Sequence, residues 1–448
     1  MKLDRNQQEM LDGKFGEARR FALEKLVDFG KAVGAEEMVP LSFVLNVCPI
    51  EMKDRSHPDL STFDMGHSPL YDKFIEIKDA RVADESKTIC LNDPYLVQID
   101  KYEEKGYPWN FSWGDGSYKL PKDIYDGYVR GHDELKKHGW IMSQSCNSHL
   151  TTRTPRYGEY CASSESSVAA YLNTFVGARS NRESTVNTVY AGYTGYLPKY
   201  GMLLDENRLA KVVVELTDEV KEKMTDPADW AALGAVIAEK GNNRIPAVVN
   251  MPPLLSPTAG KCLSGCVSAG MNDPMLHIIG STLPESRTLE AAFGGKVPTN
   301  VERHIITLDD VREYYRKLDS AKSDKVDIVV FGCPHLTYDE VRQIAGLIKG
   351  RKVNPNVHMW VQTDTPSYHM ARDNGEAKII EDAGGKIYHS TCMGMNPVRN
   401  WSHDLNIATN SFKYVKLGGG FGQGWHFGAT PDLVDAAVTG RFASTRWQ

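Results

Sequence analysis

The chain is poor in cysteine, with eight in 448 residues: Cys48, Cys90, Cys146, Cys161, Cys262, Cys266, Cys333 and Cys392. That density is far below a secreted disulfide scaffold, so reduced thiols are expected, some of them free to hold metal. Long apolar runs are missing too. No stretch approaches the roughly 20 apolar residues that span a bilayer, and the opening MKLDRNQQEMLDGKFGEARR is too polar for a secretory core. No membrane contact is expected, and a cytoplasmic location is predicted. Lys and Arg are scattered rather than massed, and the formal charge is -6, so nucleic acid is not an expected partner. There is no GxSxG elbow and no HExxH, which removes two common hydrolase classes. The glycine-rich GGGFGQGWHFG from Gly418 to Gly428 lacks the Lys-Ser or Lys-Thr of a phosphate loop, and reads as a flexible turn or a partner contact.

What is present is ordinary for a soluble globular protein. Hydrophobic residues make up 41% and charged residues 25%, and 448 residues exceed what one small core serves. Two closely packed lobes are expected, 1–215 and 216–448. The first carries an aromatic, Gly- and Pro-broken excursion over 101–127 that contains Trp109 and Trp113. Helical spacing of Leu11, Phe15, Ala18, Ala22, Leu26 and Phe29 predicts a helix from Asn6 to Gly34, broken near Gly13. The C-terminal third alternates: VDIVVFG, VHMWVQTD and KIYHSTC read as strands, and YDEVRQIAGLIKG reads as a helix. The fold class is α/β, with parallel or mixed sheets flanked by helices.

Ligands of open parallel sheets sit outside the carboxyl ends of the strands, where Cys333 and Cys392 both fall. In FGCPH, Gly332 allows close backbone approach, and Pro334 suits the first turn of a following helix whose dipole would lower the Cys333 pKa. Cys146 in SQSCNSH is a loop-end thiol. Three thiolates converging there would suit an iron–sulfur cluster or a single iron. Taken singly, each reads first as an ordinary buried core thiol, and spacing alone does not bring the three together. Cys262 and Cys266, at i and i+4, could face one ligand such as zinc or simply pack. TPRYGEYCASSESS and GARSNRES gather arginines, serines and amides that suit a carboxylate, or that form a helix cap with a solvated face.

RYGEYCASSESS, VGARSNRES, TGYLPKYGMLLDENR, LHIIGSTLPE, FGCPHLTYDEVRQIA, IYHSTC and IATNS occur in this order, and together they resemble the large, metal-binding subunit of the aconitase X family. The resemblance implies an aconitase-like multi-lobed core and a hydro-lyase that dehydrates a small hydroxy carboxylic acid with an iron–sulfur cluster or mononuclear iron. It implies Cys146, Cys333 and Cys392 as metal ligands. Glu159, Ser166, Arg179, Asn181, Arg182, Lys261, His277 and Ser281 become substrate-pocket candidates. The family precedents are cis-3-hydroxy-L-proline, ranked first here, and mevalonate 5-phosphate. No segment after Arg441 resembles the swivelling domain that carries the family's catalytic base, so a small partner subunit is expected to supply it. NSHLTTRTP after Cys146, TCMGMNPVRNW and the excursion near Trp109 depart from the family pattern. A zinc hydrolase built on Cys262 and Cys266, or a non-catalytic scaffold, are the rival readings.

Overall fold

The computed structural model describes residues 1–47, 88–92, 112–113, 116–117, 141, 145–252, 255–389, 393, 405–418 and 422–447. Cys392, Trp109, all of 101–127 except 112–113 and 116–117, and residues 419–421 of the glycine-rich run lie outside them. Within the aromatic excursion, Ser112–Trp113 and Gly116–Ser117 form a short antiparallel pair.

Three parallel sheets organise the chain. The first has the spatial order Thr88–Asn92, Phe43–Val47, Tyr160–Ser163, Arg179–Arg182. The second runs His277–Ile278, Pro246–Val249, Val212–Leu216, Arg303–Ile306. The third runs Lys386–His389, His358–Thr363, Ile328–Leu336, Asn406–Thr409, Gly424–Phe427. All pairings within the three sheets are parallel. Parallel strands covered on both faces are apolar throughout rather than alternating, which is why Val212–Leu216 and Ile328–Leu336 are almost wholly buried.

In the third sheet the chain starts at the central strand Ile328–Leu336, winds outward through two strands, then reverses to the other side with Asn406–Thr409. That reversal opens a crevice beyond the carboxyl ends of Ile328–Leu336 and Asn406–Thr409, the usual ligand position in a doubly wound sheet. The long helix Pro257–Gly270 packs across this region. It is started by Ser256, whose side chain accepts from the Ala259 N–H, and by Pro257 in the first turn. One apolar cluster, containing Ala235, Leu263, Val267, Val330, Trp360 and Trp425, joins this helix to the second and third sheets. Burying such large side chains stabilises the contact by roughly 25 cal/mol per Å² of apolar surface removed from water.

The N-terminal helix breaks near Gly13 as expected, into Arg5–Leu11 and Glu17–Ala32, because Gly13 and Gly16 adopt positive φ between them. Two other local expectations are corrected by the structure. The strand bearing Cys333 runs on to Leu336, with a cis Cys333–Pro334 peptide, and the next helix starts only at Tyr338 after the Thr337 cap. Pro334 therefore opens no helix, and the helix dipole expected directly after Cys333 is not there. The end of the glycine-rich run is an edge strand, Gly424–Phe427, followed by the helix Thr430–Thr439. A Cβ on Gly424 would stand 2.2 Å from Asn406 Oδ1, so that glycine serves strand pairing rather than a mobile turn.

Candidate functional site

Gly332 fixes the mouth of the crevice. Its φ is +128°, and a Cβ there would lie 2.3 Å from the Gln362 carbonyl oxygen, so no other residue lets the Cys333 segment approach the neighbouring strand this closely. The cleft is lined by Cys333, Pro334, Lys261, Glu340, Ser411 and Lys413, with Cys262 and Cys266 in its wall.

Cys146 arrives from the first sheet's side. Its buried sulfur accepts the His335 N–H at 3.1 Å, two residues from Cys333. Burial first, then the charges of Glu165 and Cys333, push its thiol well above the ordinary range. Two ion pairs flank the thiols. Lys261 Nζ lies 2.6 Å from Glu340 Oε2, both side chains at most 5% exposed, and it also donates to the His335 carbonyl at 3.1 Å. Burial pulls Lys261 down, but Glu340 and the neighbouring thiols outweigh it and hold the lysine above its usual value. Lys413 pairs with Glu165, which also accepts from the Ser167 N–H and hydroxyl. Burial opposes ionisation of both, yet each charge keeps the other ionised: Glu165 below and Lys413 above their ordinary ranges.

Among the described residues no three His, Cys, Asp or Glu side chains are grouped to hold a metal ion. The donor chemistry nevertheless fits iron: Cys146 and Cys333 are soft sulfur donors, close enough that the charge of Cys333 acts on the Cys146 thiol. Cys262 and Cys266 are both buried, and burial is the first cause that raises their thiols, Cys262 to about 12.

Of the pocket candidates, only Lys261 lines the cleft. Arg182 spends its fork on the carbonyls of Ser268 at 2.9 Å, Met271 at 3.0 Å and Asn272, clamping the end of the helix Pro257–Gly270. Arg179 pairs with Asp205 and donates to the Leu203 carbonyl. Asn181 bridges the Tyr200 carbonyl and the Met202 N–H. Glu159 accepts from Ser42 and the Arg156 N–H. His277 is buried between Ser286 Oγ at 2.9 Å and the Arg208 carbonyl at 2.7 Å. Ser166 is half-buried at the start of the helix Ser166–Tyr171, and the Ser281 hydroxyl is buried without a partner. Sequence reasoning did not single out Glu340, Lys413 or His149. Glu340 carried a signal, since TYDE before an apolar periodic run is a capping box.

A thiol-bearing crevice at the switch point of a doubly wound sheet, walled by buried lysine–carboxylate pairs, defines an α/β enzyme acting on a small polar molecule. Models of the aconitase X first, second and third domains match residues 69–206, 210–316 and 326–439. The chain belongs to the aconitase X family. The phosphomevalonate dehydratase large subunit of Methanocaldococcus jannaschii is 28% identical over 415 residues, covering 92% of this chain and 94% of that protein. The cis-3-hydroxy-L-proline dehydratase of Pseudomonas aeruginosa is 26% identical over 444 residues, 98% of this chain and 70% of that protein. That of Hypocrea jecorina is 30% identical over 310 residues, 68% and 51% respectively. In fold, the crystal structure of Thermococcus kodakaraensis aconitase X in its holo-form superposes with a TM-score of 0.76 at 23% identity, over 98% of this chain and 100% of that one. These relatives are dehydratases, so the chain is a carbon–oxygen lyase, and the hydrolase and scaffold readings give way. Among the described residues no helix is long and apolar enough to cross a membrane.

Proposed function

We propose that this chain is the large, metal-holding subunit of a dehydratase acting on a small hydroxylated carboxylic acid, with cis-3-hydroxy-L-proline or a similar amino acid ranked first. One observation carries the ranking: both cleft lysines already have a carboxylate partner, Lys261 with Glu340 and Lys413 with Glu165. The two pairs sum to no net charge, which suits a zwitterion better than a phosphate dianion. A second reading, mevalonate 5-phosphate, is favoured by the match along 94% of a relative named as that enzyme's large subunit.

Cys146 and Cys333, with Cys392 from outside the described residues, would hold the iron, as a cluster or a single ion. When bound, iron supplies a Lewis acid for the leaving hydroxyl. The chain's own residues then orient the acid. Lys261 has three N–H donors and uses two on Glu340 and the His335 carbonyl, so one remains for a substrate carboxylate. As the α-proton departs, negative charge spreads onto that carboxylate, and lysines already fixed by their partners stabilise it without reorganising. The base that takes the α-proton is assigned to a small swivelling partner subunit, in keeping with relatives named as large subunits. General base catalysis contributes roughly a hundredfold to ten-thousandfold, so the chain alone should be nearly inactive.

The test is anaerobic reconstitution of the chain with iron and sulfide, with and without the small subunit, and assay of both candidate acids. Dehydration of either acid only with the partner is the expected result. Turnover of neither by the complex overturns the dehydratase reading, and full activity from the chain alone overturns the partner.

A further inference from the structure

The turn after Cys146 holds a concentration of buried polar atoms with nothing to bond. Among the described residues, Asn147 Oδ1, Ser148 Oγ and both ring nitrogens of His149 have no hydrogen-bond partner, although the three residues are at most 2% exposed. Buried polar groups are nearly always paired, so several orphans in three consecutive residues mark a missing ligand. The turn and the cleft share a wall. Asn147 Nδ2 donates to the His335 carbonyl, the same oxygen that accepts from Lys261 Nζ. The His149 ring leans on Tyr171 with centroids 4.6 Å apart, and Tyr171 lies against Gly260, one residue before Lys261.

The chemistry of the missing group follows from what the orphans can do. The Asn147 amide nitrogen already faces a carbonyl, so the group left without a partner is its oxygen, and a carbonyl oxygen only accepts. Burial holds His149 neutral, with a pKa near 3, so one ring nitrogen also accepts. The charge that acts on this ring is the Glu165 carboxylate. Two acceptors on one edge, near the neutral Glu165–Lys413 pair, suit a ligand that brings N–H donors.

We propose that Asn147 and His149 form an amine-recognition edge of the cleft, accepting the N–H bonds of an ammonium group on the substrate. This rests on the dehydratase reading and narrows its substrates to amino or imino acids. His149 is a specificity residue here and takes no part in bond breaking.

Binding is measured by calorimetry on the full chain loaded anaerobically with iron, using L-proline and tetrahydrofuran-2-carboxylate, which has a ring oxygen in place of the amine. The wild type should prefer L-proline by roughly tenfold to a hundredfold, as for hydrogen bonds to a charged group. His149→Phe keeps the ring against Tyr171 but removes both nitrogens, and should bring the two affinities within about threefold of each other. His149→Gln, which restores an acceptor, should recover part of the preference. If the Phe variant fails to fold, Asn147→Ala carries the test, since Lys261 still satisfies the His335 carbonyl, and the preference should fall. Equal affinities in the wild type, no binding of either compound, or an undiminished preference in the folded variants overturns the proposal. Turnover of mevalonate 5-phosphate with no amine preference would sink this inference while leaving the dehydratase reading standing.

Discussion

Replacing Lys261 by Met removes the charge from the cleft wall while keeping the apolar stem, and its cost can be worked from the contacts. The pair Lys261–Glu340 is 2.6 Å apart with side chains 2% and 5% exposed, so the variant strands a buried carboxylate. Breaking one side of a buried pair costs about 3–5 kcal/mol. Glu340 keeps two bonds, from the Thr337 N–H at 2.8 Å and its hydroxyl at 2.9 Å, which places the loss toward the lower end, about 3 kcal/mol. The freed His335 carbonyl still accepts from Asn147 and adds little. Urea unfolding followed by fluorescence reads the third sheet through the buried Trp360 and Trp425. Lys261→Met should shift that transition by the stated amount, and Lys261→Met/Glu340→Gln should recover most of it, because a neutral buried pair needs no counter-charge. The sign of the pH dependence is fixed. Lys261 lies above its ordinary 10.5, so its stabilisation is fully present below that value and is lost only as pH rises through the elevated folded value. A single variant within about 1 kcal/mol of wild type, or a double variant no better than the single, would refute the reasoning.

Cys146→Ser and Cys333→Ser should each lose most of the iron bound on anaerobic reconstitution, measured by metal analysis; full retention in either removes that thiol from the centre. Arg182→Ala should lower the unfolding free energy by about 2 kcal/mol through the uncapped end of Pro257–Gly270 while iron content stays unchanged, and an unshifted urea midpoint would deny the clamp. His149 has a folded pKa near 3 against 6.5, so the unfolded chain takes up a proton that the folded one refuses as pH falls between those values. Stability should therefore drop with acid by up to about 1.4 kcal/mol per pH unit from this group. His149→Phe should flatten the slope between pH 6 and 4, and an equally steep profile counts against a buried neutral ring.

The strand–helix alternation of the C-terminal third was legible because apolar runs and helical period are local signals: Ile328–Leu336, Tyr338–Ile348 and His358–Thr363 lie where VDIVVFG, YDEVRQIAGLIKG and VHMWVQTD indicate. The same patterns put Cys333 near a strand's carboxyl end, where chemistry gathers. Local signals placed the helix break near Gly13 but failed at Gly424, which admits strand pairing where the glycine-rich run suggests a flexible turn or a partner contact, because composition does not distinguish these uses of glycine. Arg182 looked like a carboxylate fork because a guanidinium binds three helix-end carbonyls as readily as an anion, and only the packed position of Pro257–Gly270 selects between them. The cleft itself was decided by tertiary structure. Glu165 meets Lys413 across 248 residues of chain, and Cys146 meets the His335 N–H across 189. Those meetings follow from strand order, which sets Asn406–Thr409 beside Ile328–Leu336 and turns Lys413 toward Cys333. Sequence periodicity specifies which face of an element is apolar, but the order in which elements stack is fixed by burying all those faces at once, and that is where the ionised side chains acquire their partners.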